Sequence, residues 1–248
     1  MYPFFFDATM LLLIPPLLLS LYAQFKVKST FNKYSEVGTR AGLSGAQVAA
    51  QILRDAGIAV TDHPESYPKG EACGIEATPG ALTDHYDPRA QVLRLSEPVY
   101  GGRSIAALGV AAHEVGHAIQ HAHRYGPLQF RSAWVPVAGI GSSVGFFVML
   151  IGLGLAATGG AATVAWIGVA LFAATTVFTL VTLPVEFDAS KRALQTLSAS
   201  GVLAADEVGD ARKVLNAAAL TYVAAAAASL LQLLYWVFQI LGTQRRND

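Results

Sequence analysis

His113, Glu114 and His117 share the run His113-Glu114-Val115-Gly116-His117, inside the apolar, alanine-rich stretch from Ile105 to Ala122. On an α-helix, residues four apart lie on one face, so both imidazoles can converge on a single tetrahedral Zn2+. Glu114 then stands beside the metal. There its carboxylate can take a proton from a water whose acidity the metal has raised, and later hand it to a leaving amine. That is the chemistry of metal-assisted peptide-bond hydrolysis, with one Zn2+ per chain. A lone histidine in an apolar helix is more simply a hydrogen-bonded core residue. Two at this spacing with a glutamate between them, in a chain with only 6 histidines among 248 residues, point to a metal.

Zinc held by two histidines needs another protein ligand, and two residues qualify. His123 follows His117 by six residues, the spacing of the long zincin motif in which a glycine turns the chain so that a third histidine reaches the metal. Gln120 occupies that turn position here. It favours continuing the helix, which carries His123 away, and His121 lies two turns beyond His113. Glu186, in Leu183-Pro184-Val185-Glu186-Phe187-Asp188-Ala189-Ser190, falls on a segment that reads as helix to about Ser200-Gly201. It completes the two-His-plus-Glu set of many catalytic zinc sites, and is therefore the better-placed candidate. Its plainer reading is an interfacial carboxylate paired with Lys191 or Arg192. Asp84, His85 and Asp188 could support a ligand or a transition state, and Tyr222 could donate to an oxyanion. For Tyr222 an interfacial anchor is the simpler reading. Cys73 could cap the zinc as a thiolate, although a single loop cysteine seldom does so.

The elements that must hold these residues can be read from their punctuation. Gly101-Gly102 breaks what precedes, Ser104 suits an N-cap, and Ile105 to His123 runs without proline until Pro127. Ser44 to Ala56 has an amphipathic pattern, with Val48, Ile52 and Leu53 on one face and Gly57 as its stop. Thr61 to Gly80, rich in Pro, Gly and acidic residues, reads as loop. Ala90 to Ser96, after the turn-forming Asp87-Pro88, reads as a strand. Its free edge could pair with an extended substrate above the metal, or the strand could be plain scaffold. The expected fold is mainly α-helical and multi-spanning, with a small α+β zincin-like unit whose metal-binding helix follows an edge strand.

Composition places the chain in a membrane. Mean hydropathy is +0.44, 53% of residues are hydrophobic and 14% are charged, too apolar for an ordinary soluble domain of this length. Phe4 to Tyr22, Val135 to Ala157, Ala161 to Leu183 and Tyr222 to Leu241 are each long enough to cross a bilayer, and the last three lack charged residues. The first carries Asp7 and Pro15-Pro16 without a small-x-small cleavage site, and reads as an uncleaved anchor. The expected organisation is an anchor over 1–24, a cytosolic zincin-like region over 25–134, a transmembrane hairpin over 135–183, a ligand helix and a following helix over 184–221, and a fourth span with tail over 222–248. Of 17 Lys and Arg, eleven fall between Gln24 and Trp134, four between Pro184 and Leu220, and two at Arg245 and Arg246. The positive-inside rule then puts both polar segments in the cytoplasm. A single cysteine excludes an intrachain disulfide and fits a reducing compartment, and zero net charge gives no support to a nucleic-acid partner.

These motifs resemble those of the bacterial membrane-bound neutral zinc metallopeptidases, whose pattern His-Glu-x-Gly-His-Ala-x-Gln is matched within Ala112 to Gln120. Leu82 to Arg89 and Leu183 to Ala193 resemble the same family, so the likeness covers most of residues 40–230. The chain is more distantly similar to the membrane gluzincins, in which a Glu-x-x-x-Asp helix supplies the third ligand and its Asp orients a zinc-bound histidine. Here Ser190 stands at that Asp position and Asp188 is an extra carboxylate. The resemblance implies a zinc peptidase acting on polypeptides at the bilayer of a bacterial inner membrane. The rival from another class is a non-enzymatic scaffold or chaperone in which zinc staples helices, which would need four protein ligands.

Overall fold

Ser44 accepts a hydrogen bond from the Gln47 amide while the Gln47 side chain accepts from the Ser44 amide, a reciprocal capping box that starts α2 (Gly45–Asp55). Val48, Ala49, Ile52 and Leu53 then fall on one buried stripe, and Gly57, at φ +77, ends the turn. The computed structural model describes residues 8–158, 160 and 162–247. Phe4 and Asp7 of the expected first span, and Ala161 at the start of the third, lie outside the described residues. The chain divides into two compact units, each assembled from separated stretches.

One unit comprises Phe25–Gln129 and Pro184–Leu220. After α2 come four strands: β1 (Ala59–Val60), β2 (Ala72–Thr78), β3 (His85–Asp87) and β4 (Val92–Ser96). They are followed by a short helix α3 (Glu97–Tyr100) and the long α4 (Ile105–Ala122). The sheet order is β1-β2-β4-β3. β1 and β2 pair in parallel, as do β2 and β4, while β3 is antiparallel to β4 with Tyr86 opposite Leu93. Two expectations are corrected. The stretch Thr61 to Gly80 is not all loop, because it contains β2. Nor is the strand at Ala90 to Ser96 an edge, because β4 is flanked on both sides. The exposed edges belong to β1 and β3, and it is β3 that reaches α4, through a hydrogen bond between Tyr86 and His121. β2 escapes notice because it is paired on both sides and begins with three consecutive buried residues, Ala72, Cys73 and Gly74, so it lacks the alternation of a half-buried strand. The core gathers Ile52 and Leu53 of α2, Leu93 and Leu95 of β4, Leu108 and Val115 of α4, and Leu197, Leu203 and Leu215 from the second stretch.

The other unit comprises Met1–Gln24, Phe130–Leu183 and Thr221–Asp248. Its helices belong to α1 (Ile14–Ser35), α5 (Gly126–Ala157), α6 (Thr163–Ala199) and α7 (Ala205–Asn247). Among the described residues, four helices are long and apolar enough to cross a membrane. Their outward faces carry Leu17, Leu18, Phe147, Ile151, Ile167 and Phe238, an arrangement that water would not stabilise and lipid does. Between α5 and α6 the backbones approach through glycine: a Cβ at Gly141 would strike the carbonyl of Leu171, and one at Gly145 would lie 2.9 Å from the Phe172 nitrogen. The Gly141/Gly145 pair therefore serves close helix packing. The protein is a helical membrane protein bearing a small α+β unit.

Candidate metal centre

The helix that carries His113 and His117 is fixed at both ends. Ser104 accepts from the Ala107 amide as N-cap, and the helix ends at His123, whose amide still bonds the Ile119 carbonyl. With no proline between, His113 and His117 fall on one face. Their rings lie edge to face, with centroids 4.8 Å apart. α6 crosses this face and brings in Glu186. One carboxylate oxygen, Oε2, stands 3.3 Å from His113 Nε2 and 3.5 Å from His117 Nε2. Ligands held about 2.0–2.1 Å from a tetrahedral zinc stand about 3.3–3.5 Å from one another, so both distances match tetrahedral edges. His113, His117 and Glu186 offer ligand atoms all within 4.8 Å of one another. The residues present fit a zinc ion.

Close helix contact makes this possible. A Cβ on Gly116 would lie 2.6 Å from the Ala189 carbonyl oxygen, so only glycine lets α6 settle this near α4. The charge balance also suits a cation. Burial alone would disfavour charge on His117. The Glu186 hydrogen bond and the negative charges of Glu114 and Glu186 outweigh it, and the pKa of His117 is raised. A site that strengthens an imidazole's hold on a proton also draws a metal ion. Glu114 is 8% exposed, and among the described residues no protein donor reaches its carboxylate.

Behind the ligands lies a second set of contacts. Ser190 Oγ is 3.1 Å from His113 Nδ1, and Gln120 Oε1 is 3.0 Å from His117 Nδ1. The Gln120 amide nitrogen donates to the Val185 carbonyl and to Asp188, each at 2.8 Å, and Arg192 Nε donates to Asp188 at 2.6 Å. Asp188 thus touches the ligands only through Gln120. Sequence reasoning treated Gln120 as a helix-continuing residue and gave no role to Gly116. Spacing carried a signal for Gln120, since it lies three residues after His117 and so within reach of its ring.

The other candidates lie elsewhere. Asp84 accepts from the Ser96 amide at 2.7 Å and from its hydroxyl, bracing the start of α3, and burial raises its pKa despite these bonds. His85 is exposed, with Nδ1 2.8 Å from the Thr83 carbonyl. His123 caps α4, and Cys73 is buried in β2, where burial pushes its thiol up to about 12. Neither belongs to the ligand group. Tyr222 lies on α7 in the other unit.

No solved structure matches the chain. A protein of Bacillus subtilis (strain 168) described as "Putative membrane protease YugP" is 46% identical over 236 residues, covering 95% of this chain and 98% of that protein. The sequence pattern of the family described as "Putative neutral zinc metallopeptidase" matches residues 9–241. With that pattern spanning nearly the whole chain and His113 and His117 converging on Glu186, the protein belongs to the neutral zinc metallopeptidase family.

Proposed function

We propose that this chain is a membrane-bound, zinc-dependent endopeptidase that cleaves peptide bonds close to the membrane surface, in juxtamembrane segments or unfolded membrane proteins. His113, His117 and Glu186 would hold the ion. Bound there, zinc supplies Lewis-acid chemistry, making water nucleophilic near neutral pH and polarising a peptide carbonyl. Glu114 accepts the proton of the attacking water on its carboxylate and returns it to the departing amine. The observation that carries this reading is a buried carboxylate with no protein donor, next to a set of three ligands. A zinc that only staples helices is closed by four protein ligands, whereas a catalytic one keeps a position open.

The preference for membrane-proximal substrates rests on α6. It runs without a break through Pro184, and Glu186 lies three residues, about 4.5 Å of helix rise, beyond the apolar run ending at Leu183. Folded soluble domains cannot thread an extended segment so close to the headgroups. The distribution of basic residues supports a site on the cytoplasmic face. The test is zinc content together with cleavage of casein or an unfolded membrane protein, for the purified chain and its Glu114→Gln variant. Zinc-dependent cleavage lost in Glu114→Gln supports the proposal. A zinc-loaded parent chain that cleaves nothing and proves to have a fourth protein ligand would favour the structural-zinc reading instead.

A further inference from the structure

Gln120 is a fully buried polar side chain, 0% exposed, packed between the two helices that supply the ligands. A side-chain amide has one accepting end and one donating end. Its nitrogen faces the Val185 carbonyl and an Asp188 oxygen that also receives Arg192, and both of these groups are acceptors. Each amide hydrogen therefore has a partner. Turning the amide over would set its oxygen against a carbonyl and a carboxylate, at a side chain that is itself fully buried. The amide oxygen is thus held facing His117 Nδ1, 3.0 Å away, where it can only accept. Nδ1 must then carry a ring proton, which leaves Nε2, the nitrogen 3.5 Å from Glu186, to hold either a second proton or a metal.

His113 is held differently. Its Nδ1 meets the Ser190 hydroxyl, which can donate or accept, so that contact orients the ring without choosing its tautomer. The two histidines are therefore not equivalent.

We propose that Gln120, anchored by Val185 and the Asp188–Arg192 pair, is a positioning residue that locks His117 in its Nδ1–H form and presents Nε2 to the metal. This rests on the zinc-site reading given above. It gives α6 two tasks two residues apart: Glu186 supplies a ligand, and Asp188 sets the tautomer of a ligand on α4. Partners that orient a ligand in this way typically contribute about 10–100-fold to metal affinity.

Zinc affinity of the purified full-length chain, measured by chelator competition, tests the proposal. Gln120→Met keeps the bulk and the helix propensity but removes the acceptor, and should bind zinc on the order of tenfold to a hundredfold more weakly. Parental affinity in Gln120→Met would overturn the proposal. Imidazole nitrogen NMR of the zinc-loaded parent chain gives a readout free of substitutions: metal on Nε2 with a retained Nδ1–H at His117 is expected, and metal on Nδ1 refutes it. A parent chain that binds no zinc sinks the metal reading itself, a result distinct from either of these.

Discussion

On the proposed function, Glu114 and His113 are neighbours in sequence with separable tasks, so substitution should divide them. Glu114→Gln should retain about one zinc per chain and lose roughly 100- to 10,000-fold in peptide hydrolysis, the usual range for a removed general base. His113→Ala should lose both zinc and hydrolysis, as should Glu186→Gln, whereas His123→Ala should leave both nearly intact because His123 only ends α4. Zinc analysis beside a cleavage assay checks all four. Zinc lost from the His123 variant and kept in the Glu186 variant would reverse the ligand assignment.

At the scale of elements, the site depends on how nearly two helices meet. Gly116→Ala would force α6 away from α4 at the Ala189 carbonyl, costing about 1–3 kcal/mol in packing and moving Glu186 off both histidines. The expected result is a folded, helical protein with impaired zinc binding. Circular dichroism and zinc titration together would show it, and unimpaired zinc binding would contradict the packing argument. A pH effect belongs to the contact between β3 and α4. Tyr86 and His121 are hydrogen-bonded at 2.7 Å, and burial, reinforced by Lys69, lowers the His121 pKa. The unfolded chain therefore binds the His121 proton more readily than the folded chain does. The contact contributes fully above the ordinary histidine value of 6.5 and weakens as pH falls through it toward the folded value. A melting temperature that drops between pH 7.5 and 5.5, and drops less in His121→Asn, is the expected pattern.

The same scale shows what the sequence makes visible. Caps and periodicity mark α2 and α4 at Ser44 and Ser104, because a helix states its boundaries locally. The candidate ligands on α4 follow from a four-residue spacing. β2 does not announce itself, since its pairing partners lie far away in sequence and its burial pattern does not alternate. The role of Gln120 is hidden for a similar reason: two of its three partners sit on α6, more than sixty residues away. Helix propensity says only that glutamine is comfortable there.

At the scale of the whole chain, orientation is the open test of the basic-residue distribution. A cysteine placed near Lys69 should resist impermeant thiol reagents in intact cells, and one placed after Arg246 should react. Native Cys73 adds little background, being 1% exposed with its thiol pushed up to about 12. The reverse labelling pattern would move the site outside the cytoplasm.

The unit that holds the candidate metal ligands is written in two instalments, Phe25–Gln129 and Pro184–Leu220, with the hairpin Phe130–Leu183 between them. A ribosome delivers these in order. A nascent chain that has not yet passed residue 184 carries the two histidines and Glu114 but neither Glu186 nor the Asp188 that anchors Gln120. It can grip zinc only weakly, with two imidazoles in place of three ligands. Synthesis of the two central apolar helices must therefore precede completion of the site. On the proposed function, a hydrolase built this way would stay unarmed until its two central apolar helices exist, so its activation would be timed by the order of its own sequence.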